Sequence, residues 1–282
     1  MILFPRYHLF EFGDQSWCPE WMQAYIQSYL TQVWNLHIPP FSKTSPAGTA
    51  AEIIQENIPD PPSYTFIDLC AGAGGPTRTI EHTLNTKLAA EENPSAQFIL
   101  TDLHPRLEEW TAITKQQENI SHISDPVDAS QCNRLTSNER KECRIFNLCF
   151  HHFDDPLASR ILRNAVESAD SFIIFEFAQR NFTSLLNIPV MILFPFWYTI
   201  YRYWNSPKHL FCTYAVPLLS FLVTFDGLVS TMRCRTAEEI RDLLPRYDSE
   251  LTNWEFTSGH RMLFEPCVHV YYFIGKRKAS RS

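Results

Sequence analysis

Phe66-Ile-Asp-Leu-Cys-Ala-Gly-Ala-Gly-Gly-Pro-Thr77 runs from a short apolar segment, through three glycines in four positions, into a proline that opens an amphipathic segment. The pattern predicts strand, tight turn and helix. Proline suits the first helical position because its missing N–H would have had no partner there, and Ile80, Leu84 and Leu88 follow on one face. The chain of 282 residues has only eight glycines, so a cluster at Gly72, Gly74 and Gly75 points to a dedicated use. Small residues in such a turn let backbone approach a ligand closely, and the free N–H groups of the helix start favour a polar or negatively charged group.

Working outward, short apolar runs alternate with amphipathic segments from residue 64 onward. Strands are predicted at 64–69, 97–102, 120–127, 144–149 and 171–177, and two more at 251–257 and 267–274. One intervening helix opens at Asp154-Asp155-Pro156, where the acids read as caps. Another opens at the capping box Thr236-Ala-Glu-Glu239, in which hydroxyl and carboxylate satisfy each other's free backbone donors. Strand–helix alternation of this kind specifies an α/β domain with a mostly parallel sheet. Residues 1–62 carry two helical patterns, 20–34 and 47–58, and read as an N-terminal helical cap to a core over 63–180 that residues 235–282 complete.

Residues 181–234 form an insertion of different character. Positions 181–201 and 209–225 carry no formal charge, Arg202 and Lys208 lie between them, and aromatics crowd one end. These runs approach the roughly 20 residues that a bilayer crossing needs, yet Pro189, Pro195 and Pro217 interrupt them. Three readings stay open: a membrane span, a membrane-dipping hairpin, and an apolar lid over a lipophilic substrate.

Composition narrows the partners. With 24 Lys+Arg against 31 Asp+Glu the net charge is −7, which argues against nucleic acid, whose binding needs a basic face. Lys276, Arg277, Lys278 and Arg281 read as a short solvated tail. Eight cysteines without any Cys-x-x-Cys pair read as reduced thiols and imply no metal site; Cys70 and Cys149 read as core fillers. Met1-Ile-Leu-Phe-Pro-Arg6 lacks the charged and apolar regions of a signal peptide, so a cytoplasmic location is expected, with membrane contact through the insertion left open.

Dinucleotide enzymes use Gly-x-Gly-x-x-Gly, but the third slot here holds Thr77, and Asp68 lies inside the strand ahead of the glycines. The arrangement resembles motif I of the class I S-adenosylmethionine (SAM) methyltransferases. Leu100-Thr-Asp-Leu-His-Pro105, Val127-Asp-Ala129 and Phe146-Asn-Leu-Cys-Phe-His-His-Phe153 arrive in that family's order. With Phe175-Glu-Phe177, the hydrophobic insertion and Phe10-Glu-Phe-Gly-Asp-Gln-Ser-Trp17, they look like a group of small-molecule methyltransferases of bacteria and filamentous fungi. The resemblance covers the core, about 64–177 plus the last helix and strands.

It implies a Rossmann-like seven-stranded methyltransferase sheet with an N-terminal helical cap and an apolar helical insertion. It implies SAM as cofactor and a hydrophobic small molecule, of specialised metabolism, as substrate. Asp68 would address the amino-acid moiety beside Gly72 and Gly74. Asp102, with Leu103 next to it, would hold the ribose hydroxyls, since a carboxylate accepts two hydrogen bonds from a vicinal diol. Asp128 and Ala129 would meet the adenine, and Asn147 lies where the family faces sulfonium and substrate. His151 and His152 are the candidate general bases, because a neutral imidazole takes a proton near physiological pH; Glu176 is a third candidate. Each has a plainer reading: a cap for Asp68 and Asp102, a turn residue for Asp128, a packed side chain for either histidine, a structural carboxylate for Glu176. Two other functions use the same residues: a methyltransferase-fold cyclase or pericyclase that transfers no methyl group, and a non-catalytic membrane-associated binding protein.

Overall fold

The computed structural model describes residues 2–39, 42–137, 139–245, 249–264 and 268–278. Residues 2–18 form an irregular strap that ends in turns, so the expected cap becomes helical only at α1 (Glu20–Asn35), followed by α2 (Pro46–Asn57). The core then alternates: β1 (Tyr64–Asp68), α3 (Thr77–Ala90), β2 (Gln97–Leu100), α4 (Leu107–Thr114), β3 (Ile120–His122), β4 (Lys141–Asn147), α5 (Asp155–Ser168) and β5 (Ser171–Glu176). The insertion holds α6 (Phe182–Leu185), α7 (Ile188–Tyr203), α8 (Pro207–Leu210), a π-helical turn and α9 (Leu218–Arg233). Then α10 (Ala237–Asp242), β6 (Trp254–Phe264) and β7 (Val268–Arg277) close the chain.

The seven strands lie in the order β3-β2-β1-β4-β5-β7-β6. Strands β1 to β5 pair in parallel and β7 and β6 antiparallel. Strands β1, β4 and β5 are buried almost throughout; β1 and β5 accordingly read as short apolar runs rather than alternating ones, whereas β4 buries the Glu142–Arg144 pair. Residues of α2 and α3 pack on one side of the sheet with Phe66, Phe98 and Phe175, and residues of α5 and α10 on the other with Phe146, Phe172 and Phe273. The result is the expected three-layer α/β architecture. The caps form as anticipated: Asp154 accepts from Leu157 N, and Thr236 and Glu239 complete their box.

Two expectations change. The final strands are longer than the sequence suggested, because β6 and β7 pair as a hairpin through most of their length; Cys267 lies outside the described residues. The basic tail is not free at its start. Lys276 Nζ is 2.8 Å from Glu255, Arg277 donates to the carbonyls of Ala169 and Val166, and Lys278 donates to Thr252 O. These cations cap backbone carbonyls at the sheet's end, and Arg281 lies outside the described residues.

The strap is sewn to the insertion. Asp226 of α9 accepts from Phe12 N (2.7 Å) and Gly13 N (2.9 Å), and Arg233 donates to Leu9 O. Leu3 N donates to Arg180 O and Tyr7 N to Met232 O. Sequence periodicity had no means of finding this, since the strap has no regular structure of its own.

Candidate active site

The strand order reverses between β1 and β4, and in open α/β sheets the crevice beyond the carboxyl ends of the strands at such a switch point is where ligands bind. A cleft of about 460 Å³ lies there. The Cys70–Gly75 turn, Asp102 and Leu103 after β2, Asp128 and Ala129 after β3, and Asn147 to Cys149 after β4 line it. From the N-terminal region come Asp14, and Gln27, Leu30, Thr31 and Trp34 of α1. None of the described lining comes from 181–234, so α1, rather than the insertion, covers the cleft.

The three clustered glycines do different work. Gly72 takes φ +49° and faces open space. Gly74, at φ +76°, turns toward α4, where an added Cβ would sit 2.7 Å from Ile113 and 3.3 Å from Leu100. Gly75 lets α1 approach: a Cβ there would lie 2.6 Å from Thr31 Oγ1 and 3.3 Å from Thr31 Cα. Asn35 Nδ2 also donates to Gly75 O. The glycine turn therefore seats the cap as well as shaping the cleft.

Asp68 is fully buried behind this turn. Its Oδ2 accepts from Thr77 Oγ1 and from Asn147 Nδ2 (3.0 Å), while Asp68 Oδ1 and Asn147 Oδ1 have no hydrogen-bond partner. Burial pushes the Asp68 carboxyl up to about 6 despite those two donors. Asp102 Oδ2 accepts from Gly72 N and its Oδ1 from His104 N, each at 2.9 Å. Both oxygens thus keep one lone pair at the cleft. Asp128 accepts from Ser130 N and Oγ (2.8 Å each) and from Gln131 Nε2. It is a turn residue and a wall residue at once.

Of the three candidate acid–base groups, only His152 lines the cleft. Its Nδ1 is 3.0 Å from Asp14 Oδ2 and 3.3 Å from Arg233 Nη1, and Arg233 in turn donates to Asp14 at 2.9 Å. An ionised carboxylate can only accept, so a hydrogen bond to Asp14 requires Nδ1–H as its donor; Arg233 then bonds Asp14 and not the ring, and in that tautomer Nε2 carries the free lone pair. Burial acts to raise the Asp14 carboxyl, but the His152 and Arg233 hydrogen bonds outweigh it and hold it well below its ordinary value. His151 is buried behind His152 with the rings 4.2 Å apart. Glu176 grips it twice, at the backbone N (3.0 Å) and at Nδ1 (2.9 Å). The structure thus gives His151 and Glu176 a supporting place rather than a position at the cleft.

Two further side chains do more than the sequence suggested. Cys70 and Cys149 pack into the core on the α5 side, as expected, and also line the cleft; burial first, then the neighbouring Cys70, pushes the Cys149 thiol far up, so it stays protonated. Leu148, also on the wall, sits at φ +53°, a left-handed conformation that a leucine adopts only where its surroundings impose it.

Glu11 completes the cluster from the strap, 3.1 Å from Arg233 Nη1 and 3.8 Å from His151 Nε2. Burial lifts its carboxyl to about 7 against an ordinary 4.5, with His152 and Arg233 pulling the other way. The folded protein therefore holds this proton more tightly than the unfolded chain does. The associated stability is fullest below about pH 4.5 and is lost as the pH rises to about 7. Urea midpoints measured over that range should fall with pH, and Glu11→Gln should flatten the fall.

Sheet order and switch-point cleft together define an open, doubly wound α/β fold. No protein-family model matches the sequence, and no curated protein matches it. Among solved structures, the plantazolicin methyltransferase BpumL in complex with SAH matches with a TM-score of 0.54 at 12% identity, over 95% of this chain and 93% of that one. A SAM-dependent methyltransferase from Aquifex aeolicus matches with a TM-score of 0.45 at 9% identity, over 89% and 96%. The citrinin polyketide synthase CMeT domain gives 0.47 at 12% identity, and this chain, matched over 89% of its length, spans 56% of that one. The likeness to BpumL carries the assignment of the fold.

Proposed function

We propose that the protein is a SAM-dependent methyltransferase acting on a hydrophobic small molecule of specialised metabolism, with His152 as the base that receives the acceptor's proton. The observation that carries this reading is Asn147 Oδ1, a buried acceptor without a partner on the lining of a cleft whose walls also hold the Asp14, Asp102 and Asp128 carboxylates, with the equally unpartnered Asp68 Oδ1 buried behind the glycine turn. Unpartnered buried oxygens cost stability unless a ligand donor meets them, and an α-ammonium group has the right chemistry. Asp102 has acceptor capacity for a vicinal diol, and Asp128 between Val127 and Ala129 offers an acceptor on an apolar wall suited to a purine. The residues present therefore fit SAM.

SAM, when bound, supplies an already activated methyl group, so the protein's share is alignment and proton removal. Trp34, Leu30, Phe153 and Leu157 give the acceptor an apolar surround inside the same cleft. Asp14 holds the His152 ring with Nε2 free to take a proton from a hydroxyl or amine, and Arg233 keeps Asp14 ionised. The His151–Glu176 pair packs behind and fixes the ring's plane.

Calorimetry with SAM tests the cofactor reading. The parent should bind, and Asp102→Ala should bind about tenfold or more weakly, as expected for losing hydrogen bonds to a charged acceptor. Equal affinity would remove Asp102 from the ribose site. Transfer of labelled methyl to an apolar product tests the reaction. Product formed without release of S-adenosylhomocysteine would favour the cyclase reading instead.

A further inference from the structure

The insertion is built inside out. Along α7, Val190, Leu193, Trp197, Ile200 and Trp204 recur at helical spacing on the side facing solvent, with Leu193 64% and Trp204 70% exposed, and Phe221 of α9 extends the face. Several hydroxyl groups point the other way. Thr199 and Thr213, both fully buried, bond each other at 3.0 Å, and Tyr25 Oη meets Thr199 at 2.9 Å. Ser28 meets Tyr198 Oη at 2.5 Å, and Ser220 donates to Ile192 O. A surface helix of a soluble domain shows the reverse arrangement, and contiguous apolar surface on this scale marks an interaction site.

From this we infer that the outward face of the α7–α9 hairpin docks on the surface of an anionic lipid bilayer. Charge selects this occupant. In a chain of net charge −7, residues 177–225 contain no Asp or Glu, and their exposed charged side chains are Arg202 and Lys208. They sit at the aromatic end, where Trp197 stacks on Tyr201 with ring centres 5.1 Å apart and Lys208 lies 4.0 Å over Trp21. Aromatic rings with flanking cations are what the headgroup region of a bilayer accommodates.

The geometry gives a face rather than a span. The run Phe182–Tyr203 is long and apolar enough to cross a bilayer, with mean hydropathy 1.4 and 28% of its apolar window buried. Its partner α9, however, is tied to the strap at Asp226 and Arg233, and Tyr25 and Tyr29 of α1 pack against Tyr198 of α7. The opposite side of α1 lines the cleft. Docking would therefore place the cleft one helix away from a reservoir of apolar molecules.

Flotation of the full chain with vesicles tests this without reference to methyl transfer. The protein should rise with phosphatidylcholine/phosphatidylglycerol vesicles, bind on the order of 10- to 30-fold more weakly to phosphatidylcholine alone for two interfacial cations, and show a blue-shifted tryptophan emission. Leu193→Glu with Trp204→Glu, both exposed, should abolish flotation with the thermal midpoint and SAM affinity unchanged. A parent that stays at the bottom of the gradient with both vesicle types overturns the proposal. So does a parent that light scattering shows to be a dimer, that ignores vesicles, and that the double variant converts to monomer; the face would then belong to a second copy.

Discussion

Replacing His152 with alanine is expected to slow methyl transfer by about 10²- to 10⁴-fold, the usual contribution of a positioned acid–base group, and to leave SAM affinity within about twofold of the parent. The expectation rests on His152 lining the cleft with its Nδ1 occupied by Asp14. Asp14→Asn separates a base from a merely packed ring. The amide would present its N–H to Nδ1, reverse the tautomer and leave the cleft-facing nitrogen protonated, so the rate should fall about 10²-fold or more without a change in fold. His151→Phe, in contrast, should act through stability and ring placement, because Glu176 occupies that imidazole. Single-turnover rates across pH distinguish the cases. An alanine variant at position 152 that keeps the parent's rate would show that the acceptor reaches the cleft needing no base.

The largest stability effect is expected at Arg144, which is completely buried on β4 with Glu142. Its Nε meets Glu142 Oε1 at 2.9 Å, while its other nitrogens donate to Asn164 of α5 and to Cys132 O. Glu142 Oε2 in turn accepts from Leu135 N and Thr136 N. The pair staples the loop after Asp128 to the sheet. Arg144→Met removes one partner and leaves a carboxylate buried, so it should cost about 3–5 kcal/mol, lowering the thermal midpoint by about 10 °C or more in a chain of this size. Adding Glu142→Leu should recover much of that loss, because a buried ion pair and an apolar pair of similar volume often differ little. Thermal unfolding of the two variants and the parent measures both effects. SAM affinity should fall in Arg144→Met through the loosened Asp128 wall, although Arg144 itself stands outside the cleft lining.

The parts of this protein that depend on neighbours in sequence were legible early. The strand–turn–helix around Asp68, the strands leading to Asp102 and Asn147, and the caps at Asp154 and Thr236 each follow from local spacing, whereas β3 ends at His122, short of the expected residue 127. Side-chain period, turn chemistry and capping act over a few residues, so a linear reading captures them. The sorting of the acid–base candidates was not legible, because what separates His152 from His151 is Asp14, 138 positions away on a strap with no regular structure. Nor could the glycine cluster be resolved into one residue for the cleft, one for α4 and one for α1, since that depends on which helix lies above each Cα.

The insertion shows the same division most plainly. Its composition announced an apolar segment, and the charge-free runs 181–201 and 209–225 marked its two arms. Which side of α7 faces outward was undetermined, because aromatic and aliphatic residues surround the helix and hydroxyls occur on the buried side (Tyr198, Thr199) and the exposed side (Tyr201) alike. The Tyr198 and Thr199 hydroxyls acquire partners only when α1 and the π-helical turn arrive beside them. Sequence alone thus determined an α/β core with a glycine turn at its first strand and a greasy addition. Tertiary structure decided what covers the cleft, which histidine reaches it and which face of the addition is left for a partner, since each depends on contacts between segments that chain connectivity does not bring together.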